Sequence, residues 1–374
     1  MIYLDSAATY PMLPEVQVAV SEAFHECFAN SASSHLLGEV ASHKVDCVRE
    51  QLADSIGAYP SEIVFTSGAT ESNNIALKSV LLGSKELQDK KHVIISAIEH
   101  KCMFAICDYL QSLGYEISIA KPNSAGVINR GCIEPLLRPE TALVSVMHAN
   151  NELGTVNPIA EIGELCFSRN ILFHSDAAQS FCKTPIDVDD MNVDIMSFSA
   201  HKIGGPKGIG AIYIRDLRKR DLQPVIHGAG QEQGLRGGTV ATPLIVGFGE
   251  AQKYFKLAFE RLREINPRLY LISKLEEENI PFIVNGKAAE SLENILSLTL
   301  PKTNANLLVR ENENIFCLAQ GSACSSKEIE ASHVLSALGL SRELGEHTFR
   351  VSFTHEITYQ DINTLVGAIK KAAV

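Results

Sequence analysis

The sequence predicts an α/β fold in which a large domain with a mostly parallel central sheet is joined to a smaller α+β domain at the C-terminal end. Short apolar runs typical of buried strands alternate with amphipathic helical segments between residues 62 and 214. Polar residues follow one such run after another, as expected at the carboxyl edge of a parallel sheet. Beyond about residue 250, a long charged helical stretch gives way to a few separate strands, which indicates the second domain.

The N-terminal elements are two predicted helices behind a short strand. Residues 2–4 are apolar and predict the strand, and the small residues at positions 5–9 suit either a close approach to a ligand or an ordinary turn. Residues 14–28 predict a helix, because Pro14 stands where a helix start tolerates proline. Residues 38–56 carry apolar side chains at helical spacing and predict an amphipathic helix.

Five predicted strands are each followed by a polar residue that can bind a ligand. The strands cover residues 63–65, 92–97, 143–147, 171–173 and 195–198. The polar residues behind them are Thr70, His100, Asn151, Asp176 and Lys202. Because the carboxyl ends of parallel strands share one edge of the sheet, we expect these side chains to surround one ligand site.

Lys202 follows its strand directly in the stretch DIMSFSAHKIGGPKGIGAIYI, and a further strand is predicted at residues 210–214. A buried ammonium is poorly solvated, which lowers its pKa. A lysine of lowered pKa can form an imine with an aldehyde cofactor. The alternative is an ordinary solvated lysine at a strand end.

The stretch EIVFTSGATESNNIALKSVLL, residues 62–82, predicts a strand, a tight turn and a helix. Free N–H groups and the positive end of the helix would meet at the turn, which favours an anion, and Thr66, Ser67 and Thr70 add hydroxyls. The stretch is neither a Walker A loop nor a GxGxxG motif, so it does not imply a nucleotide. A simple helix cap is the alternative to a phosphate site.

Each of two later stretches of the sequence allows two interpretations. The Gly-rich stretch at residues 227–240 is either a connector or a loop that offers Arg236 and Thr239 to a phosphate. Cys324, in GSACSS, is either an accessible, mobile thiol or a buried cysteine in a tight turn. Around them, we expect a charged helical region at residues 251–279, strands at residues 283, 295–300 and 349–353, and a helix at residues 332–340.

The composition of the sequence argues against several classes of protein. The 374 residues carry a formal net charge of −11, which argues against broad nucleic-acid binding. No apolar run approaches the ~18 residues of a membrane span, and the N-terminus lacks a signal-peptide pattern. Nine scattered cysteines without a CxxC motif argue against a metal site and favour a reducing compartment, so we expect a cytoplasmic protein.

The polar groups together suit pyridoxal 5'-phosphate. Lys202 would form the imine, and Asp176 would keep the ring nitrogen protonated so that the ring accepts electrons. Asn151 and Gln179 can hydrogen-bond the ring oxygen, and His100 can stack on the ring. The residues that can hold the phosphate are Ala69, Thr70, Ser199 and His201.

With these residues in place, the sequence resembles the cysteine desulfurases of the NifS/IscS type, in the class V aminotransferase branch of fold-type I pyridoxal phosphate enzymes. The resemblance extends from residue 2 to about residue 353. It implies a large domain of residues 13–258 and a small domain of residues 1–12 and 259–374. The matching stretches are LDSAAT, FTSGATESNN, EHK, NNELG, HSDAAQS, SFSAHKIGGPKGIGA, the GGT at Thr239, GSACSS and FRVSF.

The resemblance also implies the reaction and the partners. L-cysteine would lose its sulfur to Cys324, leaving alanine and a persulfide that passes to a sulfur-acceptor protein. Catalysis would rest on Cys324, Lys202 and His100, the last as a proton carrier, while Arg350 and Asn151 would bind the substrate carboxylate. Thr239 is similar to a phosphate ligand donated across a homodimer, and the stretch behind Cys324 resembles the group with a long, flexible cysteine loop.

The sequence departs from the family pattern at three places, of which the first two affect substrate entry and acceptor docking, and none removes a chemical role. Ser31 and Ala32 follow Asn30 where a proline is usual, Thr354 and His355 replace a Gly-Arg pair, and Gly238 replaces a frequent serine. Another enzyme of the branch, a selenocysteine lyase or an aminotransferase, and a sulfur carrier without activity remain as alternatives. The use of the sulfur stays open among iron–sulfur cluster assembly, tRNA thiolation, thiocofactor synthesis and DNA phosphorothioation.

Overall fold

The structure is a computed structural model that describes residues 1–320, 322–325 and 328–372, with side chains for residues 1–319 and 332–372. The strands in chain order are β1 (Ile2–Tyr3), β2 (Ile63–Thr66), β3 (His92–Ser96), β4 (Glu116–Ala120), β5 (Thr141–Ser145), β6 (Leu172–Asp176), β7 (Ile195–Ser199), β8 (Gly210–Ile214), β9 (Ile283–Val284), β10 (Ile295–Thr299), β11 (Phe316–Cys317), β12 (Ala319–Gln320), β13 (Ser322–Ser325), β14 (Glu328–Ala331) and β15 (Thr348–Ser352).

The helices in chain order are α1 (Pro14–Glu26), α2 (Leu36–Asp54), α3 (Ala69–Asn74), α4 (Val80–Gly83), α5 (Lys101–Ser112), α6 (Arg130–Ile133), α7 (Ile159–Ser168), α8 (Thr242–Ile265), α9 (Pro267–Glu277), α10 (Ala305–Glu311), α11 (His333–Ala337), α12 (Arg342–Glu346) and α13 (Tyr359–Ala372). Short 3₁₀ turns lie at Pro60–Glu62, Glu134–Leu136, Ala200–Lys202, Leu217–Lys219 and Glu232–Gly234, and a π turn at Ile75–Ser79 joins α3 to α4.

Seven strands form the central sheet in the order β2-β8-β7-β6-β5-β3-β4. Strands β3 to β7 pair in parallel, whereas β8 is antiparallel to both of its neighbours. Strand β2 therefore runs in the same direction as β7, and the strands that precede the five predicted site residues all end at one edge. The mostly parallel sheet predicted from the sequence is confirmed.

Alternate residues of the central strands pack into two separate hydrophobic clusters, one on each face of the sheet. In β7, Ile195 belongs to one cluster and Met196 to the other. The first cluster includes side chains of α4 and α5, and the second includes side chains of α1, α2, α7 and α8. Because side chains alternate across a strand, the sheet forms the middle of three layers, as in α/β folds.

A second sheet, of order β12-β15-β10-β9, lies in the C-terminal part of the chain. The N-terminal segment joins this part, since β1 pairs with β11 and Asp5 forms an isolated bridge with Ser352. Leu296 and Phe349 of the second sheet belong to the larger hydrophobic cluster of the central sheet, so one core continues between the two sheets. The domain division at residues 12 and 258 stays a prediction.

Two of the differences between the structure and the sequence prediction have a clear physical cause. The charged helical region expected at residues 251–279 is two helices, because Asn266 adopts a left-handed φ of 46° and Pro267 then starts α9. The edge strand β4 was not predicted, because its exposed and half-buried residues do not form a continuous apolar run. None of the helices in the described part of the chain is long and apolar enough to span a membrane.

Candidate active site

A cavity of about 650 Å³ lies at the carboxyl edge of the central sheet. It contains the side chains that the sequence predicts behind successive strands, although they are up to 132 residues apart, from Thr70 to Lys202. The predicted site residues that line it are Ala69, Thr70, His100, Asn151, Asp176, Gln179, Ser199, His201, Lys202 and Arg350. Its size falls in the ~300–1,000 Å³ range of small-molecule sites.

Lys202 ends the 3₁₀ turn that follows β7, and its amine reaches across the cavity wall to the N-terminal segment. Nζ donates to the carbonyl oxygens of Ala7 and Ala8 at 2.7 and 2.8 Å. Burial and the charge of Arg350 lower the pKa of Lys202 to about 8, against the opposing effects of the carboxylates of Asp176 and Asp5. About one tenth of the amine is therefore neutral at pH 7, far more than for an ordinary lysine, and the neutral amine is the form that attacks an aldehyde.

Asp176 ends β6 and is nearly buried, with 5% of its surface exposed. Its Oδ1 accepts the backbone N–H of Ala178 at 2.8 Å, and its Oδ2 accepts Asn73 Nδ2 at 2.8 Å. Two hydrogen bonds fix the carboxylate while it lines the cavity. Asn73, which the sequence analysis did not single out, therefore positions the predicted partner of the ring nitrogen.

The predicted phosphate end of the cavity is formed where β2 turns into α3. The helical segment runs without a break from Ala69 to Gly83 through the π turn, so its first N–H groups have no helical acceptors. Gly68 precedes it with a φ of 149°, which favours glycine. Thr66 does not add a donor as expected, because its hydroxyl lies 2.8 Å from Ser72 Oγ and the residue does not line the cavity.

His201 lines the same end of the cavity, and its Nδ1 lies 3.2 Å from Thr9 Oγ1. Burial, aided by the charge of Lys202, lowers the pKa of His201 to about 4. The ring is therefore neutral at physiological pH and contributes hydrogen bonding rather than charge.

The structure does not bring Arg236 or Thr239 to the cavity of the same chain. Arg236 Nε donates to Glu71 Oε1 at 2.8 Å, and Glu71 Oε2 accepts Ser67 N at 2.7 Å. Burial opposes the ionisation of Glu71, but the hydrogen bonds from Arg236 and Ser67 lower its pKa below the ordinary value. Thr239 is exposed at the end of the same loop and does not line the cavity.

His100 caps α5, since its Nδ1 accepts the backbone N–H of Cys102 at 3.3 Å. A neutral ring that accepts through Nδ1 carries its proton on Nε2. Burial lowers the pKa of His100 below its ordinary value, although the carboxylate of Asp176 opposes the shift. His100 is therefore a neutral imidazole beside the cavity, able to take up and return a proton.

Arg350 is held by the N-terminal segment and by the loop after β5. Its Nη2 lies 2.5 Å from Asp5 Oδ1, and its Nη1 donates to the carbonyl oxygen of Asn151 at 2.8 Å. Its Nε is buried and has no hydrogen-bond partner among the described residues. Asp5 was not predicted, because it is 345 residues from Arg350 in the chain and only the LDSAAT motif pointed to its neighbourhood.

Gln179 follows β6 by three residues and hydrogen-bonds on both sides. Its Nε2 donates to the carbonyl oxygen of Ala7 at 2.7 Å, and its Oε1 accepts Lys183 Nζ at 3.3 Å. The carbonyl oxygen of Ala7 therefore accepts hydrogen bonds from both Gln179 and Lys202. No local pattern in the sequence indicated these two contacts.

The side chain of Cys324 lies outside the described residues. Its backbone belongs to β13, which pairs with β14 so that Cys324 stands opposite Ile329. The part assigned to this thiol stays a prediction.

The residues of the cavity fit pyridoxal phosphate. A lysine with a lowered pKa, a nearly buried carboxylate held by two donors, and the open start of a helix line one cavity. These are the groups that the cofactor's aldehyde, ring nitrogen and phosphate require.

Comparisons with known proteins identify the family of this chain. A family model described as aminotransferase class-V matches residues 2–365. The cysteine desulfurase IscS of Tolumonas auensis is 41% identical over 380 residues, which cover 99% of this chain and 92% of that protein.

Two solved structures have the same fold. A structure described as SspA in complex with cysteine is 42% identical, with a TM-score of 0.85, over 94% of this chain and 99% of the other. A structure described as a NifS-like protein is 32% identical, with a TM-score of 0.89, over 99% and 98% of the two chains. The chain belongs to the aminotransferase class-V family, and within it to the pyridoxal-phosphate-dependent cysteine desulfurases.

Proposed function

We propose that the chain removes sulfur from L-cysteine, releases L-alanine and keeps the sulfur as a persulfide on Cys324. The observation that supports this most directly is the single cavity shared by Lys202, Asp176, His100 and Arg350. The relative solved with cysteine bound adds support for the substrate, since it is 42% identical over nearly its whole length.

The cofactor is held by residues at both ends of the cavity. When bound, pyridoxal 5'-phosphate supplies an aldehyde carbon that bonds to amines and a ring that accepts electron pairs. Lys202 would hold the aldehyde carbon of the cofactor through its amine. Asp176 would hold the proton on the ring nitrogen, and Asn151 and Gln179 would donate to the ring oxygen. Ala69, Thr70, Ser199 and His201 would bind the phosphate.

The substrate is oriented by Arg350 and deprotonated beside His100. The planar guanidinium suits a carboxylate, and Nη1 and Nη2 each carry a second N–H besides those already bonded to Asn151 and Asp5. Asn151 adds a second contact to the carboxylate. The neutral His100 takes the proton of the substrate thiol and returns it in a later step.

Sulfur transfer is a nucleophilic attack by the thiolate of Cys324 on the sulfur of the substrate. A new S–S bond forms while the Cβ–S bond breaks, and the bonding electron pair stays with Cβ. Cβ then takes a proton, which gives alanine, and the persulfide remains on Cys324. An acceptor protein removes the terminal sulfur.

A homodimer completes the site in this proposal. Thr239 is exposed and lies away from the cavity of its own chain, which supports a contact with the phosphate in a second copy. We infer that the enzyme works in the cytoplasm, where thiols stay reduced.

The experiment adds a dithiol, which reduces the persulfide and frees sulfide, and measures alanine and sulfide from L-cysteine for the wild type, for Cys324→Ala and for Cys47→Ala, which removes an exposed thiol on α2. We expect Cys324→Ala to keep the visible absorption of the bound cofactor but to lose sulfide release, and Cys47→Ala to behave as the wild type. Sulfide release that persists in Cys324→Ala would contradict the role of Cys324. Amino transfer to a keto acid, or turnover of selenocysteine without cysteine, would indicate another enzyme of the branch.

A further inference from the structure

Lys183 is a buried lysine directly behind the cofactor cavity that none of the steps above uses. Only 2% of its surface is exposed. In the described part of the chain, its Nζ has one hydrogen-bond partner, Gln179 Oε1 at 3.3 Å, and the ring centroid of Phe255 lies 6.0 Å away.

An amine at this position is costly for the fold. Burial, together with the charge of Lys202, lowers the pKa of Lys183 to about 7. A methionine would fill the same space without losing the hydration of an ammonium. Packing alone therefore gives no reason for the amine, whereas the contact with Gln179 does.

The amide of Gln179 has two ends that differ in hydrogen bonding, and its neighbours select one orientation. Lys183 Nζ carries an N–H that donates to Oε1 whether the group is an ammonium or a neutral amine, and the carbonyl oxygen of Ala7 can only accept, so it requires Nε2. A flipped amide would place donor against donor and acceptor against acceptor. Nε2 carries two hydrogens, so one N–H remains after the bond to Ala7.

We propose that Lys183 is a positioning residue that fixes the amide of Gln179, so that its remaining N–H faces the ring oxygen of the cofactor. The ring oxygen accepts hydrogen bonds, so an amide turned the other way would repel it. The proposal rests on the role given to Gln179 above, and Lys183 acts only through that side chain.

The test is a double-mutant cycle with Lys183→Met, Gln179→Ala and the double variant. The control is Lys256→Met, which removes an exposed lysine from a cavity of about 250 Å³ that Lys183 also lines. Two quantities are measured: the affinity of each apoenzyme for pyridoxal phosphate and the wavelength of the visible absorption maximum of each loaded enzyme. Thermal unfolding of the apoenzymes checks that each variant folds.

We expect Lys183→Met to weaken cofactor affinity roughly fivefold, the effect of one hydrogen bond, and to displace the absorption maximum. The same substitution in the Gln179→Ala background should change neither quantity further, and Lys256→Met should resemble the wild type. Lys183→Gln, which still offers an N–H to Gln179, should keep the wild-type maximum.

Equal losses from Lys183→Met in both backgrounds would overturn the proposal, since they would mean that Lys183 acts through the fold. The proposal would also be overturned if the absorption maximum of Lys183→Gln were displaced as far as that of Lys183→Met. If the methionine variant does not fold, Lys183→Gln is compared with the wild type instead, and a displaced maximum would overturn the proposal. A Gln179→Ala variant with unchanged affinity and maximum would instead show that Gln179 does not contact the cofactor, and both assignments would fall.

Discussion

Replacing Arg350 by methionine tests how the cavity makes the amine of Lys202 reactive. Burial is the largest cause of the lowered pKa of Lys202, and the charge of Arg350 is the next, while Asp5 and Asp176 raise it. Arg350→Met removes the cation and leaves the carboxylate of Asp5 without its partner. Both changes act in the same direction, so the pKa of Lys202 should rise, and burial should still keep it below the ordinary 10.5.

The expected magnitude follows from the fraction of neutral amine. A pKa of about 8 leaves about one quarter of Lys202 neutral at pH 7.5, whereas 10.5 would leave about one part in a thousand. Loss of a nearby like charge raises a pKa by about one pH unit. The neutral fraction at that pH should therefore fall roughly eightfold in Arg350→Met.

The assay follows the binding rate of pyridoxal phosphate to the apoenzyme by visible absorbance as a function of pH. The rate should rise with pH to a midpoint near 8 in the wild type and about one pH unit higher in Arg350→Met. Arg350→Lys keeps the charge and should keep the midpoint, and Asp5→Asn should lower it. An unchanged midpoint in Arg350→Met, or an equal rise in Arg350→Lys, would refute the electrostatic reasoning.

Three further predictions concern the supports of the site. Asn73→Ala leaves Asp176 Oδ2 without its donor and should weaken cofactor affinity about tenfold in an absorbance titration. Asn74→Ala, at the next position, should keep the wild-type affinity, and equal affinities of the two variants would contradict the role of Asn73. Burial raises the pKa of Glu99 to about 8 from 4.5, so the native state keeps a proton that the unfolded state loses, and the wild type should lose stability as pH rises between these values. In urea unfolding, the free energy of unfolding of Glu99→Gln should fall with pH less steeply than that of the wild type, by roughly 1.4 kcal/mol per pH unit. Equal pH slopes of the unfolding free energy in the two proteins would argue against it. Glu232→Ala leaves the guanidinium of Arg49 without its bidentate partner and should cost about 3–5 kcal/mol in thermal unfolding, whereas the exposed Glu260→Ala should cost little; similar losses in the two variants would count against the pairing.

Most of the cavity lining could be predicted from the sequence because the direction of the strands determines which residues lie at the same edge of the sheet. Once buried apolar runs alternate with helices, parallel strands must end at one edge, so Asp176 and Lys202 come together although 26 residues separate them. The helix start at Ala69 was predictable for a similar reason, since a strand, a turn and a helix follow each other directly.

Contacts between distant loops could not be predicted in the same way. The carbonyl oxygens of Ala7 and Ala8 that hold Lys202 belong to the backbone and leave no signature in residue type. Asn73 looked like one of two adjacent asparagines on a helix, and the packing of α3 against β7, β8 and α5 brings it within hydrogen-bond distance of Asp176. The exposed strand β4 was missed because edge strands need not be apolar.

The segment at residues 5–8 has a consequence for biosynthesis. It contacts Lys202 and Gln179 through Ala7, while Asp5 pairs with Arg350 and Ser6 with the Phe353 carbonyl oxygen. Synthesis from the N-terminus makes this segment well before its partners near residue 350, so a nascent chain lacks some of the groups that surround the amine until residue 350 has been made. A chain that ends before residue 350 would therefore carry Lys202 without the Asp5–Arg350 pair and without the lowering of the Lys202 pKa by Arg350, so its amine should react more slowly with pyridoxal phosphate than that of the chain described here.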